Sequence, residues 1–253
     1  MSKTVSQSGD AATESPRSRF KAAIFDLDGV LTRTAAVHAA AWKSTFDDVL
    51  NRRGEDQAPF DVESDYRRYV DGMPRFDGVR SFLASRGIEV PEGDPDDRPE
   101  EETIYGIGNR KNEHFQHLLK EKGVDTFDDA VEQLRRWRAA GLKTAVVSSS
   151  RNCVPVLEAA GLSELFDAKV DGVDAAEIGL QGKPDADIFL EAARRLEVRP
   201  RDAIVLEDAV SGVKAGRAGG FGLVVGVARD RQQDLAEHGA DVVVYDVREL
   251  EGR

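Results

Sequence analysis

Among 253 residues there is one cysteine, Cys153, so no disulfide can form within the chain. With four histidines besides it, no Cys/His set has the spacing of a structural zinc site. A reducing cytoplasm is the expected compartment. No apolar run approaches the roughly 20 residues that a membrane-spanning helix needs, and the opening MSKTVSQSGDAATESPRSR lacks the apolar core of an export signal. The expectation is a soluble, unexported protein with no membrane partner. Positive charge is short as well: 35 Lys and Arg face 47 Asp and Glu, a net charge of −12, which argues against nucleic acid as a partner. A small phosphorylated ligand stays compatible with that balance, because a local cluster of amides, cations and metal can hold one. Residues 1–19 carry few large apolar groups and read as a flexible tail.

What the sequence does have is 40% hydrophobic residues, enough for a sizeable core. They are gathered in short runs: KAAIFD, KTAVVS, DAIVLED, FGLVVGV and ADVVVY. Between the later runs lie helical patterns at about 127–140, 153–160, 185–196 and 211–218. Strands alternating with helices give an α/β fold, a doubly wound parallel sheet covered on both faces. Residues 35–122 break this rhythm, with helical patterns such as AAVHAAAWKSTFDDVLNRR and no strand run. They read as a small α-helical cap inserted after the first strand, the core being 20–34 and 123–253. Inside the cap, EGDPDDRPEEE at 92–102 reads as a solvated acidic loop rather than a metal site.

In such sheets ligands bind at the carboxyl ends of the strands. Those ends carry Asp26 and Asp28, then Ser148, Ser149 and Ser150, then Lys183 on a later loop, then Glu207 and Asp208. Four acids in one crevice would repel unless a divalent cation neutralised them, and an all-oxygen donor set points to Mg²⁺.

These motifs, DLDGV at 26–30, Ser148 after a strand, Lys183 and Glu207-Asp208, resemble in type and order those of the haloacid dehalogenase superfamily, over about Lys21 to Leu250. The resemblance implies a Rossmann-like core in which Asp26 is the nucleophile that forms an aspartyl phosphate. It makes Asp28 the acid and base, and Ser148, the Ser149 amide and Lys183 the holders of the phosphoryl oxygens. Mg²⁺ would be held by Asp26, the Asp28 carbonyl, Asp208 and, directly or through water, Glu207. The stretches DLDGVLTRTAAVHAAAWK, VDGMPR, GNRKN, SSSRN, GKPDADIF and LEDAVSGVKA are similar to the β-phosphoglucomutase family. Its members interconvert β-glucose 1-phosphate and glucose 6-phosphate through a bisphosphate. By that resemblance Thr34, His38 and Lys43 position the acid/base loop and the substrate, with His38 holding Asp28 or its hinge and Trp42 packing beside it. Gly72 and Arg75 bind the distal phosphate, Lys111 reaches the sugar, and Ser150, Arg151 and Asn152 complete the phosphate pocket.

Each position also has a plainer reading. Trp42 and His38 can be core residues on one helix face, Arg75 an incidental surface arginine and Lys111 a solvated lysine. His114 and His117 lack a third metal ligand, and Cys153 is a small packing residue. Arg33 and Ala209 depart from the family's common acid and serine, and the stretch from Arg75 to Gly108 is longer and more acidic than in compact members. The expectation is a Mg²⁺-dependent phosphosugar mutase acting as a monomer on a phosphorylated sugar. A sugar-phosphate phosphatase and a non-catalytic binding protein are the alternatives.

Overall fold

All five residues of β1, Ala22–Asp26, are buried, which is the signature of a strand covered on both faces. It pairs in parallel with β2 (Lys143–Val147) on one side and β4 (Ala203–Glu207) on the other. With β3 (Ala168–Val170), β5 (Leu223–Val227) and β6 (Val242–Val244) it makes a six-stranded sheet in the order β3-β2-β1-β4-β5-β6. The computed structural model describes residues 19–54, 57–70, 73–229 and 234–252. Gly72 and all of the expected tail but Arg19 lie outside the described residues.

Five of the six strands correspond to the apolar runs in the sequence. β3 does not, because it is three residues long, Ala-Lys-Val, and offers no run to read. It is held by its pairing with β2 and by Asp167, whose carboxylate accepts the Thr144 N–H at 2.8 Å. The short helix after it, α6 (Gly172–Ile178), is fixed at its start by a capping box of Asp171 and Asp174.

The chain falls into two compact units. One takes the chain up to Asp26, Asp128–Ser149 and everything from Leu165; the other takes Leu27–Phe127 and Ser150–Glu164. In the first unit, Ala22 and Ile24 on one face of β1 join Ala145, Val147, Val205, Ile188, Phe189 and Ala192 in the core beneath α7 (Asp187–Arg195). On the opposite face Phe25 meets Trp137 of α4 (Asp128–Ala139), with ring centroids 5.8 Å apart.

The second unit is helical: α1 (Thr34–Arg53), a π-helical turn (Tyr66–Val70), α2 (Arg75–Ser85), α3 (Ile104–Lys122) and α5 (Cys153–Ala159). It begins earlier in the chain than the sequence pattern suggests, and it includes α5. The reason is local: α5 packs on α3, and the Asn152 side chain before it bonds to Asn112 and Gln116 of α3. The core of this unit follows from the spacing of Trp42, Phe46, Val49 and Leu50 along α1, which puts them on one face. Phe46 stacks on Trp42, and Phe46, Phe60 and Phe82 form a three-ring cluster with centroids 4.0–5.3 Å apart. None of Phe82 is exposed, so Phe82→Ala should lower the stability of this unit by about 3–5 kcal/mol, read as a drop in urea midpoint.

Candidate active site

The register of the sheet brings the first acids together. Phe25 pairs with Leu206, so Asp26 and Glu207, the next residue in each strand, emerge level at the carboxyl ends of neighbouring strands. The order reverses between β1 and β4, the crevice position in doubly wound sheets. Lys183, from the loop before α7, lies between the two acids. Its Nζ donates to Asp26 Oδ1 at 2.5 Å and to Glu207 Oε2 at 2.6 Å, and lies 5.1 Å from the centre of the Phe189 ring. Burial alone would make that ammonium easier to deprotonate. The two carboxylates outweigh burial and hold its pKa above the usual lysine range.

Glu207 is fixed at its other oxygen by the Ala209 N–H at 3.0 Å. The contact is to backbone, so alanine serves there as well as the family's common serine. The Glu207 side chain lies against the first turn of α8 (Val210–Ala218), where residue 212 must be glycine: a Cβ there would collide with the carboxylate. Asp208 completes the cluster; Asp26, Glu207 and Asp208 each offer an oxygen within 4.8 Å of the others. Three carboxylates against one ammonium leave a charge of −2, and the all-oxygen donor set suits a hard divalent cation. His114 and His117 are not part of such a group: His114 Nδ1 meets Thr45 Oγ1 at 3.0 Å, and His117 pairs with Glu121. Ser148 is fully buried at the end of β2, its N–H bonded to the Val170 carbonyl at 3.1 Å, and Ser149 is exposed beyond it.

Within the second unit Asp28 is half-buried and Thr34 Oγ1 donates to its Oδ1. His38, which the resemblance assigned to Asp28 or its hinge, has another hydrogen-bond partner. Its Nδ1 lies 2.8 Å from Lys111 Nζ and its ring stacks on Phe115 at 4.3 Å. Lys111 is not solvated. It is 5% exposed, and its ammonium lies 5.0 Å from the ring centres of both Trp42 and Phe115. Trp42 thus packs in the core through one part of its surface and meets a cation with another. Burial first and the Arg75 charge second lower the Lys111 pKa to about 7, against the opposing pull of Asp28. His38 is lowered too, by burial and then by Lys111.

Arg75 is half-buried, its pKa lowered by burial and then by Arg151, which is exposed. Asn152 is buried; its Oδ1 accepts from Gln116, its Nδ2 donates to Asn112, and its N–H donates to Ser150 Oγ at 3.1 Å, which fixes the Ser150–Asn152 turn. Lys43 is not brought to this group. Its ammonium donates to the Phe60 carbonyl at 3.0 Å and pairs with Asp47 at 2.9 Å, one turn along α1. Phe115 was not singled out in the sequence, and Asn112 and Gly212 stood only inside the stretches GNRKN and LEDAVSGVKA without a role of their own, although the glycine so early in a helix was a usable signal.

A family model for the haloacid dehalogenase-like hydrolases matches residues 20–220. The chain belongs to this family. Within it the chain falls among the β-phosphoglucomutase-like members, being 51% identical over 240 residues to a β-phosphoglucomutase of Mycobacterium tuberculosis, with 92% of each chain covered. Among solved structures it is similar to β-phosphoglucomutase of Clostridium difficile, at 26% identity and a TM-score of 0.71 over 91% of this chain and 93% of that one. It is also similar to CbbY of Rhodobacter sphaeroides in complex with xylulose 1,5-bisphosphate, at 25% identity and a TM-score of 0.70 over 91% and 96%.

The Lys111 environment has a pH signature. The unfolded chain keeps this proton up to about 10.5, whereas the folded chain releases it near 7. The cost of burying the charge is therefore fully present below about 7 and is relieved as pH rises toward 10.5. Stability should climb across that window, and Lys111→Met should flatten the climb in urea titrations run at a series of pH values.

Proposed function

We propose that this family member is a Mg²⁺-dependent phosphosugar mutase of the β-phosphoglucomutase type, converting β-glucose 1-phosphate to glucose 6-phosphate through glucose 1,6-bisphosphate. The observation that carries the reading is the cation group of the helical unit. After burial, the charge of Arg151 lowers the Arg75 pKa and that of Arg75 lowers the Lys111 pKa, so the three cations are near one another, an arrangement that favours binding an anion. In this reading the reacting phosphoryl group is taken at Asp26 and Lys183 with Mg²⁺, so a second anion-binding group suits a substrate with two phosphates.

In this reading the Asp26 carboxylate attacks phosphorus, and the bond from phosphorus to the leaving oxygen breaks. Lys183 keeps Asp26 ionised, and Lys183, the Ser148 hydroxyl and the Ser149 N–H gather the phosphoryl oxygens. Asp28, whose carboxyl Thr34 orients, gives its proton to the leaving oxygen and takes one back from the sugar hydroxyl that next attacks the aspartyl phosphate. Asp26, Asp208 and the Asp28 carbonyl would hold Mg²⁺, with Glu207, both of whose oxygens accept hydrogen bonds, acting through a water. When bound, the ion supplies neutralisation of the charge that builds on the phosphoryl oxygens. Arg75 takes the phosphate that is not reacting, as a planar guanidinium suits.

A sugar-phosphate phosphatase is the second reading, favoured by the hydrolase character of the family that the chain matches. The two differ in what attacks the aspartyl phosphate, a sugar hydroxyl or water. With β-glucose 1-phosphate, Mg²⁺ and a trace of glucose 1,6-bisphosphate, the expected outcome is glucose 6-phosphate without free phosphate, lost with EDTA and in Asp26→Asn. Free phosphate alone would mean a phosphatase. If neither product forms and fluoroaluminate with Mg²⁺ leaves Tm unmoved, the protein is a binding protein. Arg75→Ala should slow mutase turnover by about tenfold or more, yet slow hydrolysis of acetyl phosphate much less; equal losses would remove Arg75 from the distal phosphate.

A further inference from the structure

Arg75 opens α2, but what orients it lies in α3. Its guanidinium carbon lies 4.7 Å from the centre of the Phe76 ring, and its Nη2 donates to Asn109 Oδ1 over a long 3.4 Å. Phe76 can lie so close to α3 because residue 108 is glycine; a Cβ there would sit 2.6 Å from the ring. Asn109 is fixed in turn. Its Nδ2 donates to the carbonyls of Pro95 at 3.1 Å and Asp97 at 2.9 Å. With both donor bonds and the acceptor contact made, the amide cannot turn over without losing all three.

Those two carbonyls belong to the acidic segment 92–102, which is therefore more than a solvated run. Thr103 Oγ1 donates to Asp97 Oδ2 at 2.6 Å while capping α3 through the Gly106 N–H. The buried Arg110 donates to the Pro99 carbonyl at 2.7 Å and to Glu102 at 2.8 Å. Glu92 pairs with Arg80, and the Glu101 carbonyl occupies the space that a side chain at Gly106 would need. Two glycines in the first turns of a helix cost about 1 kcal/mol each, and here each makes room for a close contact. Several of the loop's carboxylates are thus engaged with other partners, and carbonyls face Asn109. Arg75 is oriented by a neutral amide, which leaves its positive charge undiminished for an anion.

We propose that Asn109 is a positioning residue through which the 92–103 loop sets the direction of the Arg75 guanidinium toward the distal phosphate. This rests on the reading of Arg75 given above. The test measures KM for glucose 1,6-bisphosphate and kcat for wild type, Asn109→Ala, Asn109→Asp and Arg75→Ala, with Tm for each. Both Asn109 variants lose the two bonds to the loop, but alanine only releases Arg75, whereas aspartate neutralises it. The expected result is a KM raised about three- to tenfold in Asn109→Ala and further in Asn109→Asp, with kcat falling less than KM rises. Equal KM values for the two variants, or wild-type KM with a lowered Tm, would reduce Asn109 to a loop tether and overturn the proposal. If Arg75→Ala leaves KM unchanged, the reading of Arg75 fails. If Arg75→Ala raises it and the Asn109 variants do not, only the positioning role fails. Should Asn109→Ala not fold, Asn109→Ser is read in its place.

Discussion

One buried ammonium, that of Lys183, is what lets carboxylates converge at the carboxyl end of the sheet. Asp26 and Glu207 stand side by side because the register of β1 and β4 leaves them level, and in a site so poorly hydrated two bare carboxylates would repel or protonate. Lys183 bonds to both and sets a positive charge between them. Other features serve that arrangement: the Phe189 ring beside the ammonium, the Ala209 N–H on the far oxygen of Glu207, and the missing side chain at Gly212. Two of the three ammonium N–H groups go to carboxylates, and one positive charge against three acids still leaves negative charge over for a cation.

The helical unit sets the opposite problem, positive charges held near one another. Lys111 has little exposure and two aromatic faces beside it, so its charge is favoured by ring electrons and disfavoured by lost water and by Arg75. A group in that balance changes protonation with modest changes around it. His38, bonded to the same ammonium, shares that sensitivity. Under the proposed reading, an anion held here would relieve the repulsion of Arg75 by Arg151 and of Lys111 by Arg75.

The core was legible because its chemistry lies at strand ends. Apolar runs marked five strands, and the acids and serines that follow them could be read off directly, whereas Lys183 lies on a loop between two helices. β3 was hidden by its length, since three residues carry no periodicity. The helical unit was harder, and Lys111 shows why: its own helix, IYGIGNRKNEHFQHLLKEK, looks solvated, and the residue it stacks on in α1, Trp42, lies 69 positions away. No local pattern announces such burial. Lys43 failed in the other direction, for an acid one turn away and a backbone carbonyl claim it. The acidic loop shows the same limit, its order resting on backbone carbonyls that sequence does not distinguish.

Cys153 is wholly buried at the start of α5, and it is the only thiol the chain has. The folded protein therefore offers maleimide reagents no competing cysteine of its own. A cysteine placed at Met73, a position 44% exposed and two residues before Arg75, would be the one reactive handle. A dye there would report occupancy near that arginine in real time, with no need to remove a native residue first.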